Sequence, residues 1–296
     1  MESLIEIDRL AGSVYLLRDL IQERLGLSLS DYHGIGLIAN KLQARVKQSR
    51  CASFLEYYHL LMSGGAEADE EWRQVIAILA KSKSGFWRHT EAVRALVDVA
   101  LPRLLSISTT KPLRIWSAGC ATGEEPLSIA MALNEAGWFQ RASIEIYASD
   151  ASYVAIERAR LGVYGETRIQ CLDVGWRDKY FTPEALGCRV VPELQELLNW
   201  KVANLMIQNE VADLARSHVI FCRNVFIYFT EPAICKTLRL FGRFMPAGAY
   251  LFSDGGDYFT SLVSSTDLFE PSSTSGSGTW IKRDTRIRTL PGVHFA

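Results

Sequence analysis

The sequence predicts an α/β fold in which a helical domain precedes a mostly parallel sheet with helices on both faces. From Arg114 onward, short strand-like runs alternate with stretches of helical periodicity, and this alternation is typical of parallel sheets. Before about residue 80, apolar residues recur at helical spacing without a strand pattern. The chain has 296 residues, of which 48% are hydrophobic, so it is long enough for two domains with a sizeable core.

Apolar stripes define the helical domain, which we place at residues 1–84. Glycines separate the stripes at Gly26, at Gly34 and at the pair Gly64-Gly65, as expected where helices end. The stripes are Leu16, Leu17, Leu20 and Ile21; Ile35, Ile38, Leu42 and Val46; Phe54, Leu55, Tyr58, Leu61 and Met62; and Trp72, Val75, Ile76 and Leu79. This spacing leaves one face of each helix apolar.

The α/β domain is predicted to span residues 85–296. Its predicted strands are 113–117, 144–148, 201–203, 219–222 and 250–253. Helices are predicted at 126–132 and at 153–161. The interval of about 172–200 is longer than a usual connection and contains its own strand-like run, 188–191. The sequence therefore predicts a small antiparallel β-subdomain inserted there.

Composition excludes several classes of partner. The net charge of −1 argues against nucleic acid or an anionic membrane as a bulk electrostatic partner. The six cysteines are scattered without a C-x-x-C pair, which favours reduced thiols and predicts no metal site. No apolar run is long enough to insert into a bilayer, and no leader pattern is present. We therefore expect a soluble cytoplasmic protein, and none of the five isolated histidines is assigned a role.

A glycine-containing turn follows the first predicted strand, with the sequence Ala118-Gly119-Cys120-Ala121-Thr122-Gly123-Glu124-Glu125-Pro126. Glycines allow the backbone to approach a ligand closely, and such turns bind nucleotide-type cofactors in open α/β sheets. The turn lacks the G-x-G-x-x-G and G-K-S/T patterns, and its two glutamates would repel a pyrophosphate. They suit a cationic or hydroxyl-rich ligand such as S-adenosylmethionine. The alternative is an ordinary helix start whose acids interact with the helix dipole.

The second predicted strand leads into Asp150. An acid at this place, 20 or more residues after a glycine turn, commonly accepts hydrogen bonds from a ribose diol. Asp150 could instead cap the helix predicted at 153–161, and the two roles can coexist. Paired with the glycine turn, the ligand role is the better interpretation.

Together with the glycine turn, the segment Phe221-Cys222-Arg223-Asn224-Val225-Phe226-Ile227-Tyr228-Phe229 resembles the chemotaxis receptor methyltransferases, the CheR family. The resemblance covers nearly the whole chain. It implies a class I methyltransferase (Rossmann-like) domain with an inserted antiparallel β-subdomain behind a helical domain. It also implies an enzyme that transfers methyl groups from S-adenosylmethionine to glutamate side chains of chemoreceptors and releases S-adenosylhomocysteine.

The resemblance also implies the cofactor-binding residues. Glu125 and Asp150, beside Gly119 of the turn, would hold polar groups of the cofactor, with Asp150 on the ribose. The pair Asn204-Leu205 would lie beside the adenine. The remaining residues implied at the cofactor are Ser82, Ser84, Arg88, Arg223 and Asn224.

Two side chains are implied at the reacting methyl. Arg88, in Phe86-Trp87-Arg88, resembles the arginine of the family's Phe-Phe-Arg motif and could hold the acceptor carboxylate. Tyr228 could hydrogen-bond that carboxylate or face the sulfonium. Without the resemblance, Arg88 would be interpreted as a surface cation and Tyr228 equally well as a buried strand-end tyrosine.

The sequence departs from the family pattern in two places. Ser82-Lys83-Ser84 stands where the family usually has Asn-x-Thr, so one short hydroxyl replaces an amide that can bond twice. Gly255-Gly256-Asp257 replaces a His-Ser-Glu stretch. The first departure bears on cofactor affinity and the second on the surface that accepts the substrate.

A basic segment at residues 41–50 predicts how a protein substrate is recognised. It carries four cations and no acid, and the i,i+4 spacing of Lys41 and Arg45 places both on one helical face. The resemblance implies that this helix binds the acidic cytoplasmic methylation helices of chemoreceptors. The alternative is a solvated helix face.

Two other functions are compatible with the same motifs. A methyltransferase of nucleic acids or small molecules is one, but residues 224–228 lack the prolines of the motif common in base methylases. A cofactor-sensing protein without catalytic activity is the other. It is disfavoured because Arg88, Asp150 and Asn224 are retained.

Overall fold

The computed structural model describes residues 2–29, 32–80, 84–107, 112–272 and 278–284. Its first helices are α1 (Glu2–Leu25), α2 (Tyr32–Gln48), α3 (Phe54–Met62) and α4 (Gly65–Leu79). They pack around a common core of fully buried side chains, among them Leu17, Ile38, Leu42 and Val75. The predicted helical region is therefore confirmed.

The predicted stripes are only partly buried. Leu16, Leu55 and Met62 are exposed, whereas Tyr57, which the periodicity did not single out, is completely buried. Helix α3 has nine residues and buries one face, consisting of Phe54, Tyr57 and Leu61. Leu55 and Met62 are seven residues apart and therefore share another face of the helix, which is exposed to solvent.

The α/β part contains the following strands and helices. The strands are β1 (Leu113–Ala118), β2 (Ile144–Asp150), β3 (Val163–Tyr164), β4 (Phe181–Glu184), β5 (Gly187–Val190), β6 (Leu198–Val202), β7 (Val219–Cys222), β8 (Tyr250–Ser253), β9 (Phe269–Pro271) and β10 (Thr279–Lys282). The helices are α5 (Thr90–Ala95), continued by a π-helical segment (Leu96–Ala100) and α6 (Leu101–Ile107), then α7 (Glu124–Glu135), α8 (Trp138–Arg141), α9 (Tyr153–Leu161), α10 (Glu166–Ile169), α11 (Val174–Tyr180), α12 (Pro192–Gln195), α13 (Gln208–Val211), α14 (Glu231–Phe244) and α15 (Asp257–Ser265). Two 3₁₀ turns, Leu214–Arg216 and Phe226–Tyr228, complete the elements.

Within the described residues, seven strands form one mixed sheet in the order β6-β2-β1-β7-β8-β10-β9. The first five strands of this order are parallel, and β10 and β9 add an antiparallel edge. The chain moves outward from β1 to β6 on one side and returns to β7 on the other side. This reversal beside β1 creates the crevice in which open α/β sheets bind ligands.

Most predicted strand positions are confirmed, but one predicted strand and one predicted helix have clearly different bounds. The strand expected at 201–203 is Leu198–Val202, because its pairing with β2 begins at Ile146 opposite Leu198. The helix expected at 126–132 is Glu124–Glu135. Pro126 is compatible with the earlier start because backbone N–H groups in the first turn of a helix have no intrahelical partner.

A second sheet of antiparallel strands, β3-β5-β4, lies beside the main sheet in the described residues. Its first strand, Val163–Tyr164, directly follows α9 and precedes the interval of 172–200 in which the insertion was expected. The sheet attaches to the site region through Tyr164, whose hydroxyl donates to the Thr122 carbonyl at 2.6 Å. The division of the chain into domains remains a prediction.

The end of α1 contacts the α/β region through backbone hydrogen bonds. The Ser28 amide donates to the Tyr228 carbonyl at 2.7 Å, and the Thr230 amide donates to the Gly26 carbonyl at 2.8 Å. These bonds bring the end of α1 against the loop after β7. In the part of the chain that the structure describes, no helix is both long and apolar enough to cross a membrane.

Candidate active site

A deep cleft opens at the carboxyl ends of the parallel strands, beside the reversal at β1 and β7. It contains about 1250 Å³ of empty space counted out to its open mouth. The predicted cofactor and catalytic residues that line it are Ser84, Arg88, Gly119, Glu125, Asp150, Asn204, Leu205, Arg223, Asn224 and Tyr228. Residues that lie far apart in sequence therefore meet in one cleft because each follows a strand of the sheet or faces its edge. The predicted residue Ser82 lies outside the described residues.

The glycine turn after β1 adopts left-handed backbone conformations. Gly119 has a φ of 76°, Ala121 of 50° and Gly123 of 94°. A Cβ on Gly119 would lie 2.5 Å from Val225 Cγ2, and one on Gly123 would lie 2.7 Å from Trp200 Cη2. Both glycines are thus required by packing against neighbouring protein segments, in addition to the ligand access that the sequence suggested.

The two adjacent glutamates of the turn have different roles. Glu124 is buried and points away from the cleft, where it accepts hydrogen bonds from Thr122 Oγ1 at 2.7 Å and Arg168 Nη1 at 2.8 Å. Glu125 lines the cleft and accepts a hydrogen bond from Ser117 Oγ at 2.6 Å. Burial raises the pKa of Glu125 to about 7. Glu125 is therefore the carboxyl group of this pair that can meet a ligand.

Asp150 lies at the end of β2 and faces the same cleft. One carboxylate oxygen accepts the Ala121 amide at 3.0 Å and the other accepts the Ser152 amide at 2.8 Å. Burial raises the pKa of Asp150 above its ordinary value, although these two hydrogen bonds oppose the shift. Each oxygen keeps a second lone pair, so the carboxylate can still accept hydrogen bonds from a diol.

The interpretation of Asp150 as a helix cap is wrong. Helix α9 is capped by Ser152, whose hydroxyl oxygen accepts the Ala155 amide at 3.3 Å. Asp150 instead bonds the amide of Ser152 itself, two residues ahead. The backbone amides of Ala121 and Ser152 thus hold the Asp150 carboxylate beside the glycine turn.

Asn204 and Leu205 form the wall of the cleft below the helical region. Asn204 is buried, and its side-chain amide donates to the Arg24 carbonyl at 2.9 Å while its carbonyl accepts the Met206 amide at 3.0 Å. Leu205 is buried beside it and contributes an apolar surface. This wall suits a flat, largely apolar ring system. The structure also shows that Asn204 ties the end of α1 to the cleft, a role that the sequence did not reveal.

A connected group of polar residues surrounds the end of β7. Asn224 has a left-handed φ of 57°, and its amide donates to Asp254 Oδ1 at 2.6 Å. Its side-chain Oδ1 lies 2.7 Å from His89 Nε2, which donates in the tautomer that carries its proton there. Burial and the nearby charges of Arg223 and Arg88 lower the pKa of His89, although its hydrogen bond to Asn224 opposes the shift. The loop after β7 is thus held from two sides.

The Phe86-Trp87-Arg88 segment is anchored by its aromatic residues. Phe86 is buried and packs edge-on against the rings of Tyr164 and Phe181, with centroid distances of 4.9 and 5.4 Å. The Trp87 amide donates to Ser128 Oγ at 3.0 Å. Arg88 follows directly and is exposed at the cleft. The arrangement holds the backbone firmly and leaves the guanidinium available to a ligand.

The predicted substrate-binding cations lie away from the cleft, on α2. Arg45 forms an ion pair with the buried carboxylate of Glu71, to which Arg45 Nε donates at 2.9 Å. The Tyr57 hydroxyl donates to the same carboxylate at 2.9 Å. Lys41 Nζ donates to the Ile78 carbonyl at 3.3 Å. Arg45 therefore stabilises the helical core, which the i,i+4 spacing did not predict.

His89 and Asp254 are site residues that the sequence analysis missed. Asp254 directly follows β8, as Asp150 ends β2, so the rule that identified Asp150 could have found Asp254 as well. His89 carried no such signal because its partner Asn224 is 135 positions away. Leu25, Leu27 and Ile76 of the helical region also line the cleft, and no local pattern indicated that.

The lining of the cleft fits S-adenosylmethionine. The carboxyl groups Glu125 and Asp150 suit hydroxyl and cationic groups, and the buried wall at Leu205 suits an adenine. Arg88 and Arg223 also line the cleft and supply guanidinium groups that suit a carboxylate. The acids beside the turn would repel a pyrophosphate, which disfavours a dinucleotide.

Comparison with known proteins agrees with this fit. The family profile described as CheR methyltransferase, SAM binding domain, matches residues 82–274. The chain is 32% identical over 231 residues to WspC, a probable biofilm formation methyltransferase of Pseudomonas aeruginosa, which covers 78% of this chain and 53% of WspC. It is also 32% identical over 240 residues to chemotaxis protein methyltransferase 2 of that organism, which covers 78% of this chain and 82% of the relative.

The chain thus spans about half the length of WspC but most of the chemotaxis relative. Among solved structures, the magnesium protoporphyrin IX methyltransferase of Synechocystis with bound SAM aligns with 84% of this chain and 96% of that chain. That alignment has 12% sequence identity and a TM-score of 0.37. The family profile and the curated relatives show that the chain belongs to the CheR methyltransferase family, whose class I methyltransferase domain binds S-adenosylmethionine.

Proposed function

We propose that the protein transfers the methyl group of S-adenosylmethionine to glutamate side chains of chemoreceptor-type proteins in the cytoplasm. The observation that carries the proposal is that one cleft is lined by groups that suit each polar part of S-adenosylmethionine and an acidic acceptor. The lining includes the carboxyl groups of Glu125 and Asp150 and the guanidinium groups of Arg88 and Arg223. Similarity to a relative named as a chemotaxis protein methyltransferase supports the same substrate class.

The chemistry needs orientation more than acid–base catalysis. When bound, S-adenosylmethionine supplies a methyl group on a positively charged sulfur. An acceptor glutamate with a pKa of about 4.3 is already ionised at neutral pH. Glu125, Asp150 and Asn204 would hold the cofactor, and its methyl group would then be available to one oxygen of the acceptor carboxylate. No proton moves, so the site requires no general base.

The chain contributes the positioning of the acceptor carboxylate. Arg88 is exposed at the mouth of the cleft and can hold a carboxylate through its planar fork, which orients the attacking oxygen. Tyr228, in the 3₁₀ turn after β7, lines the same cleft. We assign it to contact the acceptor carboxylate or the sulfonium of the cofactor. Lys41 and Arg45 are assigned to recognise acidic methylation helices, with Arg45 acting while paired to Glu71.

The proposal is tested by transfer of labelled methyl groups to purified cytoplasmic fragments of chemoreceptors from the organism that carries this chain. Carboxyl methylation is scored as base-labile label that is released as methanol. We expect label on receptor glutamates and at least a tenfold lower rate for Arg88→Ala, since a hydrogen bond to a charged group is worth about 1.5–3 kcal/mol. Arg103→Ala, an exposed arginine that does not line the cleft, is the matched control.

Two results would contradict the proposal. The first is binding of S-adenosylhomocysteine without transfer to any receptor fragment, which would indicate another substrate or a sensing role. The second is label that resists base, which would indicate methylation of nitrogen or another atom.

A further inference from the structure

A second cleft adjoins the cofactor cleft and shares three residues with it. Its other lining residues come from the first turn of α5 and from the start of β10. The complete lining is Arg88, His89, Thr90, Glu91, Ala92, Arg223 and Thr279. It contains about 700 Å³ of empty space counted out to its mouth. The two clefts meet at Arg88, His89 and Arg223.

The charges of this second cleft favour an anion. Two guanidinium groups face it, and Arg223 Nε is buried without a hydrogen-bond partner in the described residues. The carboxyl group of Asp254 interacts electrostatically with both arginines but does not line this cleft. Its Oδ1 accepts the Asn224 amide, and its Oδ2 is buried without a hydrogen-bond partner in the described residues. Thr90 and Thr279 add hydroxyl groups that can donate to a carboxylate. The planar N–H forks of the two guanidinium groups suit a carboxylate.

Glu91 is the exception among the lining residues. It is the one acid of the lining, it is exposed, and it lies in the first turn of α5. A carboxylate that enters the cleft approaches Glu91 as well as the two arginines. Glu91 therefore opposes entry of an acid that the arginines attract.

We infer that the second cleft receives the acceptor carboxylate of the protein substrate, and that Glu91 at its rim weakens this binding and so limits affinity for acidic segments. The inference rests on the proposed function, which supplies the acidic acceptor. The carboxylate of the cofactor has the same ligand chemistry and is the competing occupant. If the acceptor carboxylate occupies the cleft, a change at Glu91 alters the KM for the protein substrate. If the carboxylate of the cofactor occupies it, the same change alters the Kd of S-adenosylhomocysteine.

The test compares Glu91→Gln and Glu91→Lys with the unaltered protein. The KM for a receptor cytoplasmic fragment is measured at low salt, and the Kd of S-adenosylhomocysteine is measured by calorimetry. Removal of one like charge at close range should lower the KM about threefold to tenfold, and Lys should lower it further. The Kd of S-adenosylhomocysteine should remain the same. Because surface charges are screened, the effect should shrink at high salt.

Glu193→Gln is the matched control, since Glu193 is an exposed acid on α12 that lines neither cleft. It should leave the KM and the Kd unchanged. An unchanged KM in both Glu91 variants would overturn the assignment. A changed Kd for S-adenosylhomocysteine with an unchanged KM would assign the cleft to the carboxylate of the cofactor instead. Failure of the unaltered protein to methylate any receptor fragment would overturn the proposed function itself, and the acceptor assignment with it.

Discussion

At the scale of single residues, the site depends on which neighbours each carboxyl group meets. Glu124 and Glu125 are adjacent in sequence, yet the first is paired with Arg168 and the second lines the cleft with a pKa of about 7. Asp150 is held by two backbone amides and also faces the cleft. Side chains with the same carboxyl group therefore have different roles. Glu124 stabilises the structure, whereas Glu125 and Asp150 are placed to bind a ligand.

The raised pKa of Glu125 predicts that cofactor affinity depends on pH. Binding that requires the charged carboxylate becomes weaker as pH falls through about 7, because the group takes up a proton. The Kd of S-adenosylhomocysteine should be about tenfold higher at pH 6 than at pH 8, as expected for one linked proton. Calorimetric titrations at both pH values measure this difference.

Glu125→Gln provides the control for that measurement. The amide keeps the shape of the side chain and an oxygen that can accept the bond from Ser117. The Kd of the variant should be nearly the same at pH 6 and pH 8. An equal pH dependence in both proteins would show that another group, such as Asp150, is responsible.

At the scale of elements, the carboxyl ends of neighbouring strands supply the site. Gly119 follows β1, Asp150 ends β2, Asn224 follows β7 and Asp254 follows β8. Parallel pairing aligns these ends at one edge of the sheet. The loop after β7 is held further by the bonds of Asn224 to Asp254 and His89. A left-handed residue that is not glycine persists only when its surroundings stabilise it.

Removal of the Asp254 side chain should therefore disturb the loop after β7. Asp254→Ala deletes the acceptor of the Asn224 amide, and the loss of a buried hydrogen bond costs about 1–3 kcal/mol. We expect kcat/KM for methyl transfer to fall by about one to two orders of magnitude. Initial-rate kinetics on a receptor fragment, beside a thermal melt of each protein, measure this loss.

Asp254→Asn separates the hydrogen bond from the charge. Asparagine keeps an acceptor at Oδ1, so this variant should retain most of the activity that the alanine variant loses. If both variants lost activity equally, the charge of Asp254, acting on Arg223, would be the more important property. If neither lost activity, Asn224 would not depend on this contact.

At the scale of the whole molecule, the helical region and the sheet build the cleft together. Leu25, Leu27 and Ile76 line it from the helical side, and Asn204 bonds the carbonyl of Arg24. The integrity of the helical core therefore matters to the site. Arg45, Glu71 and Tyr57 form a buried polar group within that core.

Arg45→Met should destabilise the helical region because it leaves the Glu71 carboxylate buried with one partner. The cost of breaking such a pair is about 3 kcal/mol. Lys41→Met, which removes an exposed cation from the same helix, should cost less than about 0.5 kcal/mol. Denaturation of the full chain by urea and by heat measures both changes. Equal stability of the two variants would contradict the structural role of Arg45.

The loss of stability in Arg45→Met should become smaller as pH falls. Hydrogen bonding from Arg45 lowers the pKa of Glu71 below its ordinary value. A lowered pKa of an acid contributes stability that is present above the unfolded pKa of about 4.3 and is lost as pH falls through the folded pKa. The difference in stability between Arg45→Met and the unaltered protein should therefore be full at pH 7 and shrink in strong acid.

The local sequence pattern was sufficient to predict the helical region, most strands and the turn that contains Gly119. Side-chain periodicity and turn chemistry act over a few residues, so they can be recognised in the sequence. The resemblance to a family added Arg88 and Tyr228, which no local pattern identified. Tertiary structure alone decided that His89 meets Asn224, that Asp254 holds the same loop and that Arg45 is paired with Glu71. These contacts join residues that are distant in sequence, so they exist only after strands and helices have packed together.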